Sequence, residues 1–216
     1  MKQLIGLDLG TTGAKALVIN SRGQVLASNS EGYPLYQKEQ GWSEQKTEDW
    51  LNSIIQALKK VLSAEEVNRN QVEGIALSGQ MHGSVFLDED GEVIRNPILW
   101  NDTRTSNQCR EIRELVGENN LIELVGNTVL EGFTAPKLLW LRKNEPENYS
   151  ELETLLLPKD YITYRLTGRL ITEKSDAAGT NLYDVEEETW SKEVCEKLQI
   201  EDGILPEVLN SFDVVE

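Results

Sequence analysis

The sequence predicts an α/β fold, and three patterns in its first 80 residues predict it. Residues 4–9 and 14–19 are apolar runs joined by a Gly-Thr-Thr-Gly turn, and residues 24–30 follow a second turn at 20–23. Residues 47–62 then carry apolar side chains at helical spacing, and residues 72–78 read as a further strand. Short turns build antiparallel neighbours, whereas a strand after a helix returns to its sheet through a right-handed crossover, so the sheet is mixed and carries a helical layer.

The elements follow in order. The stripe of the first helix is Trp50, Leu51, Ile54, Ile55, Leu58, Val61 and Leu62, with Thr47 placed to cap it. Residues 84–87 and 92–94 flank Asp88-Glu89-Asp90-Gly91 and read as a second hairpin. Residues 105–116 and 135–142 have helical periodicity, 155–157 form a short strand before Pro158, and 159–166 read as a helix. No linker, repeat or low-complexity tract divides the chain, so residues 1–216 read as one domain. The tail from 205 to 216 has no obvious partner strand.

Composition narrows the function. A hydrophobic fraction of 39% with 27% charged residues and 6 prolines is that of a packed globular chain. Lys and Arg total 21 against 37 Asp and Glu, a formal charge of -16, whose field repels nucleic acid and anionic membranes. ATP is not excluded, because a magnesium ion and a few local donors outweigh a diffuse field at contact range. Cys109 and Cys195 are too few and too far apart for a disulfide framework or a zinc site. Asp8 interrupts the first apolar run and no run of 18 apolar residues follows, so neither a signal core nor a membrane span is expected, and the expected location is cytoplasmic.

Three segments carry candidate chemistry. Asp8-Leu9-Gly10-Thr11-Thr12-Gly13-Ala14-Lys15 puts a carboxylate at a strand end before a tight turn. Gly10 and Gly13 let backbone N–H groups approach phosphate oxygens, Thr11 and Thr12 add hydroxyls, Lys15 adds positive charge, and Asp8 can hold magnesium through water. The spacing is neither a P-loop nor a dinucleotide fingerprint, since a strand follows it. Gln80-Met81-His82-Gly83 ends a strand and bears the only histidine of the chain, where ligands meet open sheets. Trp100-Asn101-Asp102-Thr103-Arg104 offers an aromatic face beside amide, carboxylate and guanidinium groups, a mixture suited to the C–H patches and hydroxyls of a sugar.

Together with Gly132-Phe133-Thr134-Ala135-Pro136-Lys137-Leu138-Leu139-Trp140, Leu157-Pro158-Lys159-Asp160-Tyr161 and Ser175-Asp176-Ala177-Ala178-Gly179-Thr180, these segments resemble the FGGY carbohydrate kinases along nearly the whole chain. Within that family Gln-Met-His-Gly with Ile-Leu-Trp-Asn-Asp is similar to the members that phosphorylate xylulose. The resemblance implies a ribonuclease H-like (actin-like ATPase) domain with a mixed five-stranded sheet flanked by helices. It implies ATP and Mg2+ as cofactors, with Asp8 near the metal and the transferring phosphoryl and Gly10, Thr11, Thr12, Gly13 and Lys15 around the phosphates. Gln80, Met81, His82, Trp100, Asn101 and Asp102 fall at or beside the ketose, in a cleft shared with Asp8, whereas Lys159, Asp160 and Asp176 read as supports.

The sequence departs from the family pattern in two places. The family's catalytic base, an aspartate in a Gly-Gly-Asp-Asn segment ahead of a nucleotide-binding domain, has no match in residues 181–216. Residues 1–216 are therefore expected to be an N-terminal sugar-binding domain, inactive alone, whose partners are a ketose, ATP and the C-terminal domain of the same chain, with a homodimer left open. Gly13 and Ala14 also replace a serine and a valine or threonine common in the family, removing one hydroxyl donor. The competing readings are a kinase of ribulose, gluconate or glycerol, and a non-catalytic actin-like ligand-binding module.

Overall fold

Residues 1–215 are described by the structure, a computed structural model, and they fall into two compact units. The first holds residues 1–35 and 45–80, and the second holds residues 36–44 and the chain from 81 onward. The chain passes between them at Leu35/Tyr36, Glu44/Gln45 and Gln80/Met81. None of these steps has the composition of a linker, so nothing in the sequence marks them.

In the first unit, β1 (Gln3–Leu9) pairs antiparallel with β2 (Gly13–Asn20), and β2 with β3 (Val25–Gly32). Helix α1 (Thr47–Leu62) then crosses over to β4 (Val72–Gly79), which lies parallel to β1 and completes the order β3-β2-β1-β4. Alternation along β1 and β2 sends Ile5, Leu7, Leu9, Ala14, Ala16 and Val18 to one buried face. Trp50, Ile54, Ala57 and Val61 of α1 are buried as well, and α1 packs chiefly on β2 and β3. The buried stripe is narrower than the apolar pattern, because Ile55 is 43% exposed and Ala57 takes an inner position. Thr47 is the first helical residue rather than the cap. Lys46 occupies that place without a side-chain capping bond to the helix N-terminus, and Glu48 and Asp49 answer the helix dipole instead.

The second unit contains β5 (Val85–Leu87), α2 (Ser106–Val116), α3 (Glu118–Val125), α4 (Thr134–Asn144), α5 (Pro146–Ser150), β6 (Thr154–Leu156), α6 (Pro158–Thr167), β7 (Ile171–Glu173), α7 (Lys174–Ala177), β8 (Tyr183–Asp184), β9 (Thr189–Trp190), α8 (Lys192–Leu198) and β10 (Glu207–Leu209). Its core runs through Phe86, Ile112, Leu121, Leu138, Leu141, Leu182 and Leu198. Every residue of α4 from Thr134 to Leu141 is buried, the mark of a helix enclosed on all sides. Both cysteines are free and buried, Cys109 in α2 and Cys195 in α8.

Three expectations need correction. The main sheet has four strands among the described residues, not five, because the next strand, β5, belongs to the second unit and pairs antiparallel with β6. The Asp88 turn exists, with the Asp88 carboxylate accepting from the N–H groups of Asp90 and Glu92 at 3.0 and 2.9 Å. Its arms pair locally through the bridge Leu87–Val93, with the Asp88 N–H donating to the Glu92 carbonyl and the Ile94 N–H to the Phe86 carbonyl at 3.0 Å each, but the longer ladder of β5 is made with the distant β6. The tail does find a strand partner, since β10 pairs parallel with β7.

Ile54 sits 1% exposed between α1 and the sheet. Ile54→Ala is expected to lower the unfolding free energy by about 2–5 kcal/mol through lost burial and a residual cavity. Urea denaturation followed by circular dichroism measures this, and a loss below about 1 kcal/mol would show that the α1–sheet contact is not the core of the first unit.

Candidate functional site

The β1–β2 turn in the first unit is closed by the Gly10 N–H donating to the Gly13 carbonyl at 3.1 Å. Asp8 lies one residue out of phase with the buried Leu7 and Leu9, so it stands exposed on the face away from α1. Its cross-strand partners are Lys15 on β2 and Ser78 on β4, which gather a carboxylate, an ammonium and a hydroxyl on that face. Among the described residues no group of three or more His, Cys, Asp or Glu could hold a metal, so Asp8 belongs to no all-protein metal cluster of that kind. Magnesium fits such a site, because it keeps several waters and is commonly bound by one or two carboxylates together with substrate phosphates.

Two residues that the sequence did not single out hold this turn. Tyr33 donates its hydroxyl to the Gly10 carbonyl. Burial, with the Asp8 carboxylate adding, raises the phenol well above the ordinary tyrosine range, so it remains a donor. Gln45 is the other. Its Nε2 donates to the Thr11 carbonyl at 2.7 Å, while its Oε1 accepts from Trp50 Nε1 at 2.9 Å and from Gln80 Nε2 at 3.0 Å. Gln80, 5% exposed, is thus tied through Gln45 to the turn. Gly13 has a steric reason as well. A Cβ there would lie 2.6 Å from the Glu31 carbonyl oxygen, so a serine at this position requires β3 to move, and the glycine reflects close strand approach rather than a dispensable hydroxyl.

In the second unit the Trp100–Arg104 segment divides into two kinds of residue. Trp100 is 41% exposed. Asp102 is 1% exposed and filled: Oδ2 accepts from the Ser43 N–H at 2.6 Å and from Arg104 Nη2 at 2.7 Å, and Oδ1 accepts from the Arg104 N–H and Nε at 2.9 Å each. Arg104 packs on Trp42 and Trp140. Its guanidinium lies 3.6 Å from the ring centroid of Trp42 and 4.8 Å from that of Trp140, and Nη1 meets Glu44 at 2.8 Å. Arg95 pairs with Glu44 and, at 2.8 Å, with Glu145, which extends the buried network. Asn101 is half-buried, with its Oδ1 enclosed and given no donor among the described residues.

Met81 is 46% exposed and His82 follows it with φ +60°, a left-handed backbone that a histidine rarely adopts. The His82 ring meets Phe133 edge to face at 4.6 Å and lies against Gly179, where a Cβ would come within 2.5 Å of Cε1. Burial and then the nearby Lys137 ammonium lower the imidazole pKa to about 4, partly opposed by a backbone hydrogen bond with Gly179. The ring is therefore neutral at physiological pH. Lys159 meets Asp160 at 2.8 Å and Asp176 at 3.2 Å in a largely buried cluster.

Mixed four-stranded sheet, crossover helix and Asp-X-Gly-Thr-Thr-Gly turn place the chain in the ribonuclease H-like (actin-like ATPase) class of α/β folds. Residues 3–216 match the N-terminal domain of the FGGY family of carbohydrate kinases, and the chain belongs to that family. It is 46% identical over 215 residues to the xylulose kinase of Bacillus subtilis strain 168, covering 100% of this chain and 43% of that protein. Among solved structures, a ligand-bound xylulose kinase from Lactobacillus acidophilus superposes with a TM-score of 0.89 at 28% identity, covering 100% of this chain and 44% of the other. A gluconate kinase from the same organism gives 0.93 at 28%, covering 100% and 43%. The chain thus spans under half the length of these relatives, and backbone likeness does not separate one acceptor from another. No helix among the described residues is long and apolar enough to cross a membrane.

Two measurements check this description. Arg104→Met is expected to cost about 3–5 kcal/mol, because Asp102 and Glu44 are left buried with fewer partners; equal unfolding midpoints for variant and wild type would sink the strut assignment. The single imidazole is expected to titrate near pH 4 by NMR. Between pH 6.5 and 4 the unfolded chain takes up a proton that the native ring refuses, so this group's contribution is complete above pH 6.5 and lost as pH falls through that window. A midpoint at or above 6 contradicts the buried placement.

Proposed function

We propose that the intact protein transfers the γ-phosphoryl group of ATP to the terminal hydroxyl of D-xylulose, giving D-xylulose 5-phosphate, and that residues 1–216 are its N-terminal sugar-binding domain, with a nucleotide-binding domain of the same protein as partner. The hydroxyl oxygen bonds to the γ-phosphorus as the bond to the bridging β,γ-oxygen breaks, and the hydroxyl proton passes to a base that the family resemblance places outside this chain. Gly10, Thr11, Thr12, Gly13 and Lys15 surround the phosphates, where N–H groups, hydroxyls and an ammonium offset their charge. Through water, Asp8 would hold Mg2+, which would supply charge neutralisation at the phosphate oxygens. Met81, His82, Trp100 and Asn101 line the sugar, while Gln80 and Asp102, already engaged by their own chain, support that lining.

The neutral lining carries the choice of acceptor. The imidazole of His82 is uncharged at neutral pH, Met81 is apolar, and the Lys137 ammonium nearby is fully buried against backbone carbonyls. Such a lining offers hydrogen bonds and apolar contact to an uncharged ketose and no accessible cation to the carboxylate of gluconate. The strong likeness to xylulose kinases supports the same choice.

ADP release by the intact protein, measured with D-xylulose, D-ribulose, gluconate and glycerol in turn, tests the reading. D-xylulose is expected to give a kcat/KM at least about tenfold above the others, a gap that pocket contacts readily supply. Asp8→Asn is expected to lower kcat by about 100-fold or more with little change in the KM for the sugar. Faster turnover with gluconate overturns the acceptor assignment, and full activity of Asp8→Asn overturns the role of the turn.

A further inference from the structure

Lys137 is the least expected side chain in α4: an ammonium 0% exposed among Ala135, Leu138, Leu139 and Leu141. It forms no salt bridge among the described residues. Instead Nζ donates to the His82 carbonyl at 2.7 Å and to the Gly132 carbonyl. Burying a charge in this way is expensive, and a methionine of similar length would fill the same space at less cost. The two acceptors explain what the ammonium does that a methionine could not.

The His82 carbonyl belongs to a strained turn. Gly83 N–H returns to the Met81 carbonyl at 2.7 Å, closing three residues around His82 at φ +60°. Turns of this kind persist only where their surroundings over-determine them. Thr134 Oγ1 is a second donor to the same carbonyl at 3.2 Å, and Gly83 abuts Pro158 so closely that a Cβ would lie 2.5 Å from its Cγ. The Gly132 carbonyl, the other acceptor, belongs to a residue packed on the Trp100 backbone, where a Cβ would come within 2.5 Å of the Trp100 carbonyl oxygen. One ammonium therefore joins the segment carrying Met81 and His82 to the segment against which Trp100 rests. On the opposite side of the imidazole, Gly179 leaves no room for a side chain.

We infer, on the reading of Met81, His82 and Trp100 as the lining of a ketose pocket, that Lys137 and Gly179 are positioning residues: Lys137 locks the His82 turn in register with the Trp100 segment, and Gly179 provides the slot that the imidazole occupies. Neither touches the sugar. Without the ammonium, the His82 backbone relaxes from its left-handed conformation and the ring turns toward water. A methyl group at position 179 displaces the ring directly and leaves the Lys137 charge in place.

The test uses the 216-residue chain, whose single imidazole gives one NMR signal free of overlap. Lys137→Met and Gly179→Ala are each expected to shift that signal and to move its titration midpoint up toward the ordinary histidine value, with the circular dichroism of a folded protein. D-xylulose affinity, measured by isothermal titration, is expected to fall about tenfold or more in both, as small misplacements of a positioned group do. If either folded variant keeps the wild-type histidine signal and midpoint, the positioning role assigned to that residue is wrong. If Lys137→Met does not fold, Thr134→Val, which removes the second donor to the same carbonyl, takes its place with the same criterion. A wild-type chain that binds no D-xylulose while both variants move the histidine signal overturns the pocket reading and leaves the positioning inference standing.

Discussion

Arg104 surrenders nearly all contact with water, and much of the second unit is arranged so that this burial is tolerated. Its guanidinium stacks on Trp42 and Trp140, whose rings meet edge to face at 5.5 Å, and its N–H groups are met by Asp102 and Glu44. Arginine suits the position because a planar, weakly hydrated cation can stack and donate in its own plane together, which an ammonium cannot. Residues 36–44 are drawn into the second unit by this demand, through Trp42, Glu44 and the N–H of Ser43. The exposed end of the segment, Trp100, inherits a rigid base from its buried end.

Lys137 poses the opposite case. It is buried against backbone oxygens alone, and burial lowers its pKa to about 7, opposed by Asp102. Arg104 thus rests on carboxylates and rings that compensate its charge, whereas Lys137 sits where carbonyls must be held. Both charges serve the same stretch of chain, one through the base of the Trp100 segment and the other through the His82 turn. In the first unit an uncharged amide does comparable work. Gln45 links the Thr11 turn, the Trp50 indole and Gln80 with one donor and one twice-used acceptor, so the candidate phosphate turn is braced without an ion pair to screen.

Much of this was legible in the sequence. The first three strands, α1, β4, α2, α4 and α6 lie where hydrophobic period and turn residues place them, because local chain geometry governs each. The Asp8–Lys15 segment was legible for the same reason: a carboxylate and two glycines around a turn are a local pattern. Lys137 carried a visible signal, a cation inside the apolar stretch from Thr134 to Leu141, whose meaning depended on which carbonyls lay near it. Tyr33, Gln45 and Trp42 carried none, since the contacts that matter here, with Gly10, Thr11 and Arg104, are made to residues distant in sequence. The stacking of Arg104 on Trp42 and Trp140 was not legible either, because both rings reach it from distant parts of the chain.

The sequence by itself determined the α/β class, the mixed order of the first sheet, the Asp8 turn and the family. These rest on periodicity and on short motifs, whose physics is confined to a few neighbouring residues. Tertiary structure decided that the first sheet has four strands, that β5 and β10 pair with distant strands, that Asp102 is a filled strut, and that Gly13 and Gly179 are steric necessities. Each of those depends on what approaches from elsewhere in the chain, and a side chain's own identity does not say which backbone atom will stand 2.6 Å from its Cβ.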